Sequence, residues 1–77
     1  MLLKVISPER ILFRGEVTKV SFPGTVGFFM VLKNHAPLVS TLVAGDIVFS
    51  WEEGEQYIPV KGGVVEVKDN IICVCLL

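Results

Sequence analysis

Few side chains in this sequence could do chemistry, and their spacing argues against most of it. The single histidine, His35, has no Ser-His-Asp, Cys-His or metal-ligand pattern around it in the sequence. General-base work needs a group that orients the ring and a polar pocket for the substrate. A hydrogen bond that shapes its own loop is the expected role of His35, ahead of contact with a partner. Cys73 and Cys75 stand two apart in an apolar run. In a strand both thiols point the same way, a poor geometry for a mutual disulfide, and two thiols with one histidine fall short of a four-ligand zinc site. They read as small apolar residues of a reducing compartment. The pair Gly24 and Gly27 suggests a phosphate cradle, but such loops open a helix and carry Lys-Ser, Lys-Thr or a third glycine, whereas a strand-like run follows here. Glu52, Glu53 and Glu55 around Gly54 read as a solvated turn. No catalytic, cofactor-binding or metal-binding residue is expected.

The elements that hold these residues are short. Turn-forming residues recur at Ser7-Pro8, Gly15, Pro23-Gly24, Gly27, Asn34 to Pro37, Gly45-Asp46, Gly54, Gly62-Gly63 and Asp69-Asn70. No window between them suits an amphipathic helix, and the intervening residues are rich in Val, Ile and Phe. Strands are expected near Leu2–Ile6, Ile11–Arg14, Val17–Phe22, Phe28–Leu32, Leu38–Leu42, Ile47–Glu52, Gln56–Val60, Val64–Lys68 and Ile71–Leu76. The fold class is all-β, an antiparallel β-sandwich of about nine to ten short strands filling residues 1–77 as one domain. Alternation puts Ile47, Phe49 and Trp51 on one side, Val65 and Val67 on another strand's inner side, and Phe29 and Val31 in the core. Asp69-Asn70 is expected to form a two-residue hairpin. The last strand has no polar side: Ile72, Val74 and Leu76 alternate with Ile71, Cys73 and Cys75. A strand apolar on both faces is normally covered on both.

Composition narrows the function classes. Seven basic and eight acidic residues, scattered singly, offer no basic stripe for phosphates, so nucleic acid is not an expected partner. Hydrophobic residues make up 52% of a 77-residue chain. A chain of this size hides only about 60% of its unfolded surface, so more apolar surface exists than its own core can take up. A docking partner is the simplest place for the surplus. No apolar run approaches the roughly 20 residues of a spanning helix, and the first residues, MLLKVISPE, lack the h-region and cleavage site of a signal peptide.

The stretch from Gly24 to Asp46, GTVGFFMVLKNHAPLVSTLVAGD, sets glycines and a rigid His-Ala-Pro-Leu corner among apolar residues. Gly24, Pro37 and Gly45 read as loop-shaping residues. Together with Val5-Ile6-Ser7-Pro8-Glu9, Phe13-Arg14-Gly15, Val20 to Gly24, Gly27, Asn34 to Leu38 followed by Leu42 and Gly45, and Gly62 to Val67 with Asn70, the chain resembles the N-terminal β-sandwich of the epsilon subunit of F-type ATP synthases. The resemblance implies a non-catalytic rotor part on the central stalk, coupling a gamma subunit to a c ring without cofactors. It implies a position at the cytoplasmic face of a bacterial inner membrane, with membrane association only through the complex. It implies that the segment from Gly27 through His35 is turned toward the ring, so Gly27, Phe28, Met30, Lys33, Asn34 and His35 are the candidate contact residues. Phe28, Phe29 and Met30 make this segment more apolar than the family's usual mix of Gly, Glu and small residues. Most members continue into a helical hairpin that can inhibit hydrolysis; these 77 residues carry none, and no autoinhibition through it is expected of them.

Two other readings compete. A biotinyl or lipoyl carrier domain is also a small flattened β-sandwich and displays one lysine on a tight hairpin. Lys33 could be that lysine, but the flanking Met-Lys-Met or Asp-Lys-Ala signature is missing. The remaining reading is a generic all-β adaptor.

Overall fold

Nine strands and no helix make up the computed structural model, which describes all 77 residues. They are β1 (Leu2–Ile6), β2 (Ile11–Glu16), β3 (Lys19–Gly24), β4 (Gly27–Leu32), β5 (Leu38–Leu42), β6 (Gly45–Trp51), β7 (Gly54–Val60), β8 (Gly63–Lys68) and β9 (Ile71–Leu76). Three of the strands keep the bounds the sequence predicts. β3 departs most, starting two residues late at Lys19. The Val17 amide donates to the Met1 carbonyl and the Thr18 amide to that of Ser50, each at 2.9 Å, so these two residues form the bend before the ladder.

The strands follow the order β2-β1-β9-β8-β5-β3-β6-β7, with β4 added to the free edge of β3. The sheet folds over where β5 meets β3 at the single pair Gly24 and Leu42. One layer is then β2, β1, β9, β8 and β5; the other is β4, β3, β6 and β7. The sandwich expectation therefore holds, with one amendment. β1 and β9 pair in parallel, Leu2 beside Ile71 through Ile6 beside Cys75. Hairpin-linked neighbours must run antiparallel. β1 and β9 have no turn between them, so local turn chemistry does not set their direction.

Fourteen buried hydrophobic residues fill the space between the layers, among them Leu3, Val5, Val20, Phe22, Val31, Ile47, Phe49, Val65, Ile72 and Val74. All but Val17, which lies in the bend before β3, are inward members of strands. Phe13 of β2 reaches across to Phe49 of β6, ring centroids 4.4 Å apart, and Trp51 meets Phe13 edge-on at 5.2 Å. Such aromatic contacts lock the layers at one end. At the other end Phe22 and Phe29 lie 5.4 Å apart.

The exposed surface totals 4845 Å², close to the roughly 4,650 Å² expected for a compact chain of this mass. Ordinary compactness cannot hide so many apolar residues, and several stand outside. On β9, Ile71 and Cys75 are exposed and Cys73 half-buried, so nothing in these residues covers that side of the strand.

Candidate functional site

The segment singled out by its glycines and its His-Ala-Pro-Leu corner becomes a hairpin, an edge strand and a crossing. β3 and β4 form a two-residue hairpin through Thr25-Val26, closed by the Gly24–Gly27 pair. The two glycines serve different ends. Gly27 has φ +137°, a region that side chains avoid, and open space where a Cβ would stand. Gly24 is needed for close approach: a Cβ there would meet the Gly27 carbonyl oxygen at 2.7 Å and the Phe29 ring at 2.8 Å. Gly45 lies at the start of β6, where a Cβ would meet Pro23 at 2.8 Å, so Gly24 and Gly45 act at strand ends rather than inside loops.

β4 is the free edge of its layer and alternates cleanly. Val31 is buried and Phe29 half-buried, while Phe28, Met30 and Leu32 point outward with 71%, 44% and 51% of their surface exposed. Their cross-strand partners are Pro23, Ser21 and Lys19 of β3. Ser21 pairs in turn with Val48 of β6, and Val48 with Tyr57 of β7, which is 67% exposed. Met30, Val48 and Tyr57 thus share one row across this layer, interrupted by the buried Ser21. Only the ladder register places Val48 and Tyr57 in the row of Met30, so strand alternation alone does not reveal that row.

The six candidate contact residues do not form one tip. Gly27 and Phe28 lie at the hairpin end of β4, and Lys33, Asn34 and His35 follow its other end, about 17 Å away at the usual rise per residue. There the chain turns at Lys33-Asn34 and crosses through His35, Ala36 and Pro37 to β5 in the opposite layer. The His35 amide donates to the Leu32 carbonyl at 3.1 Å. The His35 ring Nδ1 lies 2.7 Å from the Ala36 carbonyl oxygen. A carbonyl only accepts, so Nδ1 carries the proton. The expected loop-shaping bond of His35 is present.

Asn34 adopts φ +66°. Its amide donates to Asn70 Oδ1 at 2.6 Å, and Asn70 Nδ2 donates to Asn34 Oδ1 at 3.0 Å. Asn70 occupies the β8–β9 turn, where Asp69 and Asn70 have φ +52° and +61°, the paired positive values of a type I′ hairpin. The sequence marked Asn70 as a turn residue and missed its bond to Asn34.

His35 has no acidic or nucleophilic side chain among its hydrogen-bond partners, and the chain brings no three His, Cys, Asp or Glu side chains together in metal-binding geometry. The largest recess, about 690 Å³, is lined by Met1, Arg14, Glu16, Trp51 and Glu52, at the strand ends that also carry Asn70. There the terminal ammonium sits 3.6 Å from the Glu16 carboxylate, and the Trp51 indole N–H is buried without an acceptor. Cys73 and Cys75 are free thiols. Burial pushes the Cys73 thiol above its ordinary value, and the neighbouring Cys75 adds to the rise.

Comparison with known proteins points in one direction. The family described as "ATP synthase, Delta/Epsilon chain, beta-sandwich domain" matches residues 1–76. An ATP synthase epsilon chain of Leptospira borgpetersenii is 49% identical over 72 residues, covering 94% of this chain and 57% of the relative. One from Chlorobium limicola is 38% identical over 69 residues, covering 88% of this chain and 78% of the relative. The chain thus spans little more than half the length of the Leptospira relative. Among solved structures, a chain of the Euglena gracilis mitochondrial ATP synthase (OSCP/F1/c-ring) superposes with a TM-score of 0.90 at 20% identity. It covers 99% of this chain and 49% of that one. A chain from the central stalk and c ring of the Tetrahymena thermophila mitochondrial enzyme gives 0.84 at 12% identity, covering all of this chain and 63% of that one. At such identities the superpositions speak for the fold.

Proposed function

The chain belongs to the delta/epsilon β-sandwich family of ATP synthases, and from that premise we propose that it serves as a non-catalytic rotor domain of the central stalk. Its 77 residues act as one domain that couples a gamma subunit to a c ring, at the cytoplasmic face of a bacterial inner membrane. Membrane association comes through the complex. The observation that carries this reading is the family match across residues 1–76, with relatives called ATP synthase epsilon chain at up to 49% identity. The structure supports it in physical terms. A two-layer sandwich with one continuous core is a stiff body, and its exposed apolar residues suit attachment rather than turnover.

Within that role the ring-facing residues are Gly27, Phe28, Met30, Lys33, Asn34 and His35, spread along the β4 edge and the turn after it. The carrier reading finds no support in the geometry. Lys33 leads into a crossing between layers instead of the hairpin tip a carrier lysine requires.

Photo-crosslinking in the assembled membrane enzyme tests the proposal. A photoreactive residue replacing Phe28 or Lys33 is expected to capture a c-type ring subunit. Capture of gamma alone at both positions overturns the assignment of these residues. Failure of the tagged chain to co-purify with gamma and c subunits overturns the rotor role itself.

A further inference from the structure

Two asparagines 36 residues apart in sequence close on each other in a reciprocal pair of hydrogen bonds. Both hold left-handed backbone conformations, which non-glycine residues seldom adopt and asparagine tolerates best. The two differ in how firmly their own backbone is held. Asn70 sits in a two-residue hairpin flanked by the paired residues Lys68 and Ile71. Its carbonyl also accepts the Leu2 amide at 2.9 Å, which ties the hairpin to the first strand. Asn34 stands where β4 has ended and β5 has not begun. Apart from Asn70, the hydrogen bonds that shape this tip are the two local ones of His35, to Leu32 and to Ala36.

We infer that Asn70 is the positioning residue of the Lys33–His35 tip. Its side chain offers an acceptor to the Asn34 amide and a donor to the Asn34 side chain, and so pins a turn of one layer to a hairpin of the other. Exposed Lys33 and half-buried His35, on either side of Asn34, are then held in fixed directions. The functional part of this inference rests on the reading above that the tip faces a ring. A tip that must bear load at each rotor step cannot swing on the two local bonds of one histidine, and the clamp removes that freedom.

The test uses the assembled ATP synthase. Asn70→Gly keeps the left-handed conformation of the hairpin and deletes both side-chain bonds. Asn70→Asp keeps the acceptor for the Asn34 amide and loses the donor. Hydrogen exchange of the Asn34 amide is expected to rise roughly fivefold or more in Asn70→Gly, as the loss of one hydrogen bond implies, and to return most of the way in Asn70→Asp. Exchange of the Leu2 amide and of the β9 ladder is expected to stay as it was. Ion pumping per ATP hydrolysed is expected to fall in Asn70→Gly while hydrolysis itself persists. Unchanged exchange at Asn34 overturns the inference. So does a rise spread evenly over the whole hairpin, the mark of a merely structural residue. A loosened tip with unaltered pumping leaves the clamp standing and removes the ring-facing reading, so the two failures separate.

Discussion

Replacing Gly27 with alanine isolates a backbone requirement from a steric one. The φ of +137° costs an L-residue about 1–3 kcal/mol. Alanine also stiffens the unfolded chain, which returns about 0.4–1 kcal/mol. The site is open where the methyl would stand, so packing adds nothing. The net expectation is a loss of about 1–2 kcal/mol, out of roughly 4–12 kcal/mol for a chain this size. At about 4–8 °C per kcal/mol the melting temperature falls by about 5–15 °C. D-alanine, whose preferred φ is positive, fits the same backbone without strain and is expected to be neutral or mildly stabilising. Both forms are accessible by chemical ligation. Fluorescence of Trp51, the single tryptophan, follows unfolding in heat or urea from a position beside Phe13. If the L- and D-alanine proteins melt together, or the L-form melts with the parent, the assigned backbone strain is refuted. In the assembled enzyme Gly27→Val is expected to lower coupled ATP synthesis before it lowers hydrolysis, and the reverse order counts against the rotor role.

Gly24→Ala is expected to lose about 1–3 kcal/mol by overpacking, measured by urea unfolding. Adding Phe29→Leu should recover only part of it, because the Gly27 carbonyl remains in the way. Phe49→Ala empties a site that is 1% exposed and packed on Phe13. The loss of about 3–5 kcal/mol is a large share of roughly 4–12 kcal/mol, so the thermal midpoint followed by circular dichroism should fall by at least about 10 °C. Cys73, with its pKa raised by burial, holds less thiolate at pH 8 than an unfolded peptide of the same sequence. Its alkylation by iodoacetamide should lag that peptide in a mass-spectrometric time course, and a faster rate would contradict the burial.

The strands were legible because their signals are local. Period-two alternation marks β6 through Ile47, Phe49 and Trp51, and β8 through Val65 and Val67; Asp69-Asn70 marks the hairpin after β8. Each depends on residues within one strand or one turn. The parallel β1–β9 pair depends on the whole path between the termini, and no residue in Leu2–Ile6 or Ile71–Leu76 encodes its direction. The start of β3 failed for a similar reason. Val17 is apolar and buried, as a strand residue would be, yet its amide goes to Met1 and so lies outside the ladder.

The candidate site divides along the same line. Gly27 and Pro37 announce themselves, since glycine permits and proline imposes a backbone shape wherever they stand. Asn34 and Asn70 were each readable as turn formers, but the bond between them exists only because the crossing after β4 brings that turn over the β8–β9 hairpin. The outward residues of β4 offer a third case. Their alternation was legible, yet folding alone predicts polar side chains at Phe28, Met30 and Leu32, where this chain exposes apolar ones. A sequence that satisfies its core and breaks the same rule on three successive outward positions of an edge strand is answering to something outside the fold. An edge so apolar also invites strand-to-strand aggregation unless something occupies it. The departure from single-chain physics therefore points to a partner more directly than any polar group in the chain does.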